Sequence, residues 1–393
     1  MSVTSILKNR NFIGLLLANT VLASAFPIQL ILGGLTGLML APSPGLATLP
    51  SSVQTLAALL AAAPISLLMG RMGRRAGFVL GAVLTLTGAV IAVQALYAQS
   101  FILLCLAHFV MGAGWAAFQY FRFAAGEVVA ASWRPVAISL MLTSGLVAAI
   151  VGPQVFIVAK DALAPVPFAG AYAALALLSA LGIAPLALVR MPTPEATTHA
   201  EGAPHFSVLA ALHRRPIRRA ILLAAASQGI MVFLMIPTPI AMIECGFTED
   251  TASDVIRWHI VAMFAPSFFT GFLIQRFGAQ TIATSGLVTL IAAAAAASMG
   301  LSAPHFYGSL IVLGIGWNFG FIGATTLLAE SVPDEEKAAV QGTNDTIIAL
   351  VSTICAFAAG FVVSSLGWAF LALVSGGLVV FVLVALAIDR EAA

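Results

Sequence analysis

The sequence predicts an all-α membrane protein of twelve transmembrane helices arranged as two similar six-helix halves. Three observations carry this. Of 393 residues, 61 % are hydrophobic and only 8 % charged, with a mean hydropathy of +1.07. A water-facing domain carries roughly a quarter charged residues, so most of this surface faces lipid. Twelve apolar runs follow one another, each near the ~20 residues that cross a bilayer. Short motifs of the first half also recur in the second at nearly constant register.

The expected spans are 11–40, 51–70, 77–98, 101–126, 135–158, 165–189, 219–243, 254–275, 279–301, 305–329, 338–364 and 367–388. Pro42, Pro44 and Pro50 mark the first connection, and Arg71 to Gly77 the second. Pro165 and Pro167 are read as opening the sixth span, because proline fits a first helical turn. The first apolar run follows Lys8 and Arg10, has the length of a true span and shows no small-residue cleavage site, so it is read as a span and not a signal peptide. The longest polar stretch runs from Met191 to Arg218. The chain therefore divides into an N-terminal bundle over 1–190, a linker over 191–218 and a C-terminal bundle over 219–393.

Basic residues set the orientation, since Lys and Arg stay on the cytoplasmic side. Lys8, Arg10, Arg71, Arg74, Arg75, Arg134, Arg190, Arg214, Arg215, Arg218, Arg219, Arg276, Lys337 and Arg390 fall on one side of a twelve-span chain, and Lys160 and Arg257 on the other. Both termini and the linker are expected in the cytoplasm. A multi-pass protein of a bacterial inner membrane is the implied location.

The repeat is visible in three places. Gly112-Ala113-Gly114-Trp115 in span four matches Gly314-Ile315-Gly316-Trp317 in span ten. Glu127 and Glu330 follow at similar distances, and Arg71-Met72-Gly73 matches Arg276-Phe277-Gly278. A duplicated six-span unit is a transporter architecture. Gly70-Arg71-Met72-Gly73-Arg74-Arg75 resembles the cytoplasmic loop signature of the major facilitator superfamily, with Gly70 where the signature has an acid and Ser66 where it has its leading glycine. The second copy, Gly271 to Gly278, keeps the glycines and likewise lacks the acid. This resemblance covers the whole chain and implies alternating access by rocking halves.

Two helical spacings could carry chemistry. Met231 and Met235 in span seven are i, i+4, as are His259 and Met263 in span eight, so each pair shares one helix face. Met235 lies nine positions before Glu244 and Met263 nine after Asp254, which puts both at similar depth, roughly 13 Å inside the membrane. Thioethers and imidazole are soft, neutral ligands that suit copper. Met in a span is also ordinary packing, whereas a histidine in lipid usually faces a cavity. Met-x-x-x-Met followed by His-x-x-x-Met resembles the signature of the CcoA-type copper importers, a bacterial branch of the same superfamily. That resemblance implies Met231, Met235, His259 and Met263 as copper ligands, copper as the transported substrate, supply of cbb3-type cytochrome c oxidase maturation, and a cytoplasmic copper chaperone as a candidate recipient.

Cys105, His108 and Met111 on span four form a second soft set, against which stands helix packing with His108 hydrogen-bonded; Cys245, at the periplasmic mouth of span seven, is a candidate entry ligand for metal or a redox-sensitive thiol, against which stands a small buried residue at a helix end, and Cys355 reads as packing. Arg71, Arg75, Arg122, Glu127, Arg134 and Glu330 are gate candidates near the cytoplasmic ends of spans, and Asp345 is a candidate for proton coupling unless Asn344, Thr343 or Gln341 holds it. The alternative reading is a proton-coupled carrier of a small organic molecule such as a vitamin or drug. In it Trp115, Phe118, Tyr120, Trp317 and Phe319 stack on a flat ring. No nucleophile–base pattern, phosphate loop or soluble domain supports an enzyme. No permanent cofactor and no nucleic-acid partner is expected; membrane lipid is the surrounding partner.

Overall fold

A computed structural model describes residues 8–130, 133–191, 213–333 and 336–391. The chain divides into two compact units, Met1–Glu201 and Gly202–Ala393. The expected linker over 191–218 lies for the most part outside the described residues.

In the first unit, span one is Arg10–Ala23 continued by Ala25–Leu40. Pro27 supplies no N–H to the preceding turn, which accounts for the break at Ser24. Span two is Leu49–Met72 and span three Arg74–Tyr97. Span four is Phe101–Phe118 continued by Phe121–Glu127, span five Arg134–Ala159 and span six Ala169–Leu186. In the second unit, span seven is Arg215–Met235 continued by Thr238–Glu244, and span eight Glu249–Phe264 continued by Ser267–Phe277. Pro237 and Pro266 sit at those two breaks. Span nine is Ala279–Ser298 and span ten Ala303–Ser331. Spans eleven and twelve form one run, Lys337–Glu391, broken at Gly367 with φ 81°.

Two boundaries differ from the sequence expectation. Pro165 and Pro167 do not open span six: Phe168 takes a left-handed φ of 63°, and the helix starts only at Ala169. Span eight starts earlier than 254, because the Thr248 side chain caps the helix by accepting from the Thr251 N–H, and Glu249 and Asp250 suit the positive end of the helix dipole.

Each unit repeats one packing scheme. Span four packs against spans two and three, and span ten against spans eight and nine. The glycine pairs explain how. A Cβ on Gly112 would lie 2.1 Å from the Gln54 carbonyl oxygen of span two, and one on Gly114 2.6 Å from the Gly81 carbonyl of span three. A Cβ on Gly314 would lie 2.6 Å from the His259 carbonyl of span eight, and one on Gly316 3.0 Å from the Leu290 backbone nitrogen of span nine. The first glycine of each motif admits one neighbour's backbone and the second admits the other's. The loop glycines agree as well: Gly73 has φ 86°, ψ 158° and Gly278 φ 84°, ψ 149°, a region open to glycine alone at low cost. Large apolar side chains such as Ile102, Leu67 and Phe272 point outward, as lipid contact requires.

Arginines of the second unit close its polar end. Arg218 and Arg219 both reach Asp389, and Arg214 pairs with Glu336 at 2.5 Å. The guanidinium holds the Glu336 carboxyl below the usual carboxylate range. A lowered pKa contributes stability above the unfolded value and loses it as pH falls through the folded one. The pair is exposed, so its effect is small. The difference in Tm between the parent and Arg214→Gln should therefore be present at neutral pH, begin to shrink as the pH falls through the ordinary glutamate value of about 4 and vanish only below the lowered value Glu336 has in the folded protein. A difference that persists unchanged in acid would assign the effect to something other than this ion pair.

Candidate functional site

A buried polar chain crosses the first unit. Gln29 and Thr36 come from span one, Gln54 from span two, His108 from span four and Tyr172 from span six, and all are buried. Gln54 Nε2 donates to Gln29 Oε1 at 2.8 Å. Its Oε1 lies 2.8 Å from His108 Nδ1, and His108 Nε2 lies 2.7 Å from the Tyr172 hydroxyl. That hydroxyl is 3.0 Å from Thr36 Oγ1. With its amide N–H spent on Gln29, Gln54 accepts from a protonated Nδ1, so Nε2 is the acceptor for Tyr172. Four helices are thus tied by side chains that have no water to turn to. Among the described residues, Gln29 Nε2 on span one and Ser51 Oγ on span two, beside the chain, find no hydrogen-bond partner.

This arrangement gives His108 the hydrogen-bonded packing that stands against the second soft-ligand set. Both nitrogens of His108 are engaged, so neither offers a lone pair to a metal. The Met111 side chain packs over Gly88 of span three, and Cys105 is half-buried on span four. Cys245 is exposed just past span seven. Partial burial and the nearby Glu244 carboxylate raise its thiol pKa, which favours the thiol over the ligating thiolate. Cys355 packs beside Gly229, as a packing residue should.

In the second unit Met231, Met235, His259 and Met263 are all buried. They stand on the turns just before Pro237 and Pro266. The helices that carry them, Arg215–Met235 and Glu249–Phe264, each pack along span ten; among the described residues they share no extended packing with each other. His259 Nδ1 is 2.7 Å from the Leu310 carbonyl, and Met263 presents its own carbonyl to Asn318 Nδ2 at 2.7 Å. His259 Nε2 has no partner among the described residues. A buried acceptor left so costs about 1–3 kcal/mol.

The aromatic candidates divide. Trp115, half-buried, stacks on Phe26 at 4.4 Å and meets the edge of Phe118 at 6.2 Å. Trp317, its repeat counterpart, stacks on Phe321 at 5.0 Å, meets the edge of Phe264 at 6.2 Å and donates its Nε1–H to Gln228 at 2.6 Å. Tyr120 lies instead under the Arg74 guanidinium, 5.5 Å from ring centre, and Phe319 meets Phe269.

The gate candidates are redistributed. Glu127 pairs at 2.8 Å with Arg74, a residue the sequence reading did not single out. One signal was available: a cation at the start of a helix opposes the dipole and calls for a carboxylate. Glu330 is exposed, and Ala279 stands where the repeat would need an arginine, so the second half lacks this pair. Arg71 and Arg75 are exposed, while the side chains of Arg122 and Arg134 lie outside the described residues. Asp345 is exposed and accepts from Asn344 Nδ2 at 3.2 Å, the partner proposed for it as an alternative to proton relay.

A duplicated bundle of apolar helices with a buried polar chain and half-exposed tryptophans is the build of a solute carrier. The chain belongs to the Major Facilitator Superfamily. Residues 231–393 match that family directly. Over 366 residues it is 40 % identical to the riboflavin transporter RfnT of Brucella anthropi, covering 91 % of this chain and 90 % of the relative. An uncharacterized MFS-type transporter of Bacillus subtilis, YdeG, is 31 % identical over 346 residues, covering 84 % and 80 %. Two solved structures share the fold: a D-xylose–proton symporter, with a TM-score of 0.76 at 14 % identity covering 95 % of this chain and 96 % of the other, and a point mutant of the nucleoside transporter NupG, with 0.75 at 13 % covering 96 % and 99 %. At such identities they speak to the fold alone.

Proposed function

We propose that this chain carries a small, flat organic solute of the riboflavin class across the bacterial inner membrane by alternating access. The observation that carries the reading is the 40 % identity to a riboflavin transporter over nearly the full length of both chains. The side chains support it. An oxidised flavin ring offers two carbonyl acceptors, one ring N–H donor and two flat faces. Among the described residues of the second unit, His259 keeps an unpartnered acceptor and Trp317 leaves part of its ring accessible. The basic-residue distribution supports cytoplasmic termini.

This reading displaces copper as substrate. The copper expectation rested on two i, i+4 spacings in a chain with 12 methionines. The relatives give it no support, and the two helices that carry the spacings lean on span ten instead of on each other.

The test is uptake by a riboflavin-requiring bacterium without an importer of its own, expressing this chain. Labelled riboflavin should accumulate at least several-fold above the empty-vector strain, while radioactive copper measured in parallel should not change. Copper accumulation without riboflavin accumulation would reverse the assignment.

A further inference from the structure

We infer that His259 reads a ring N–H of the transported solute, its Nε2 accepting the hydrogen bond. This rests on the riboflavin-class reading. The Leu310 carbonyl can only accept, so Nδ1 of His259 carries the proton and the neutral ring keeps its lone pair on Nε2. That atom is fully buried and has no partner among the described residues. Buried side-chain acceptors are nearly always paired, and an orphan in a native structure calls for a partner that binds.

The internal repeat supplies a control within the same chain. Gln54 stands nineteen residues before Gly73, and His259 nineteen before Gly278, so the two occupy one repeat position. His108 and Leu310 likewise each stand four residues before the first glycine of their motif. In the first half Gln54 is engaged at both ends, by Gln29 and by His108. In the second half leucine replaces that histidine, and its backbone serves one ring nitrogen only. At this one repeat position the first-half side chain is thus engaged at both ends, and the second-half one is left with an open acceptor.

The acceptor is also held rigidly. Gly314 lets the span ten backbone press on the His259 carbonyl, and Asn318 fixes the Met263 carbonyl one turn on. Phe264, on the following turn, meets the half-exposed Trp317 edge-on. An acceptor on a fixed helix that also carries an aromatic contact one turn further on suits a flat heterocycle with a ring N–H. An acceptor set in place before the solute arrives costs little to order on binding.

Riboflavin in its oxidised form has one ring N–H, at N3, so N3-methylriboflavin removes that donor and keeps the ring. The parent protein should take up the methyl analogue at least tenfold less well than riboflavin. His259→Leu should handle the two alike at equal protein level, and His259→Gln, which restores the first-half residue and an acceptor, should recover the preference. Equal uptake of both compounds by the parent would overturn the inference, leaving Nε2 to a water molecule. So would a preference that survives in His259→Leu. The parent comparison stands even if a variant fails to fold. Absence of riboflavin uptake by the parent would sink the riboflavin reading and this inference with it, and is recognisable because the unmethylated arm itself fails. Loss of copper uptake in His259→Leu with riboflavin uptake intact would give the nitrogen to a metal and overturn the assignment.

Discussion

Gly112→Ala should lower the stability of the protein by about 3 kcal/mol, the upper part of the range for overpacked cores. The added Cβ would sit 2.1 Å from the Gln54 carbonyl oxygen and 2.8 Å from its carbonyl carbon and Cα. These are backbone atoms of a neighbouring helix, so no rotamer change relieves the clash and spans two and four must separate. Gln54 is also the residue that joins Gln29 to His108, so the separation strains the buried chain. Gly314→Ala meets the His259 carbonyl at 2.6 Å and the Met263 nitrogen at 2.9 Å and should behave likewise in the second half. Gly308→Ala is the control: it lies on span ten, and its Cβ would meet nothing within 4 Å. A helix-interior alanine there should be neutral or stabilise by roughly 0.5–1 kcal/mol. Thermal melts of the three variants in one detergent decide the matter. Equal melting of Gly308→Ala and Gly112→Ala would show that the helices do not approach as described.

The same glycines show what a sequence displays readily. Gly-x-Gly-Trp and Arg-x-Gly recur because each copy solves a local geometric problem, so the repeat can be read without knowing the neighbours. The twelve spans were legible for a similar reason, since lipid imposes length and apolarity on every one. Their ends were less so. Pro165 and Pro167 satisfy the chemistry of a helix start, yet the chain turns through Phe168 first; Thr248 begins span eight inside a stretch whose charges read as loop.

The site was legible only in part. The Met and His spacings stand out because i, i+4 is a pattern within one helix, but a pattern within a helix does not say which neighbour that face meets. The helices that carry the two spacings, Arg215–Met235 and Glu249–Phe264, both pack along span ten, and Arg215–Met235 also packs along the Lys337–Glu391 run. The first-unit chain is the reverse case. Gln29, Gln54, His108 and Tyr172 are single polar residues on four different helices, with no spacing to connect them, and only packing brings them together. His108 was noticed for the Cys105 and Met111 beside it on its own helix, whereas its partners lie 54 and 64 residues away.

His108→Leu should therefore act on folding. Leucine fills the volume but leaves Gln54 Oε1 buried without its donor, at about 1–3 kcal/mol for the unsatisfied group, while the Tyr172 hydroxyl turns to Thr36 Oγ1. The loss is seen as a lower Tm and less protein in the membrane. Tyr172→Phe removes one hydroxyl and strands one acceptor, His108 Nε2, so it should cost a similar amount. The double variant distinguishes a network from two independent residues. With both partners replaced by apolar groups, nothing is stranded at that link, and the double should be no worse than His108→Leu alone. A copper relay through His108 makes the opposite forecast: normal protein level and melting, with uptake of copper alone reduced. Additive destabilisation in the double variant would count against the chain, since residues that share one hydrogen bond cannot each lose it independently.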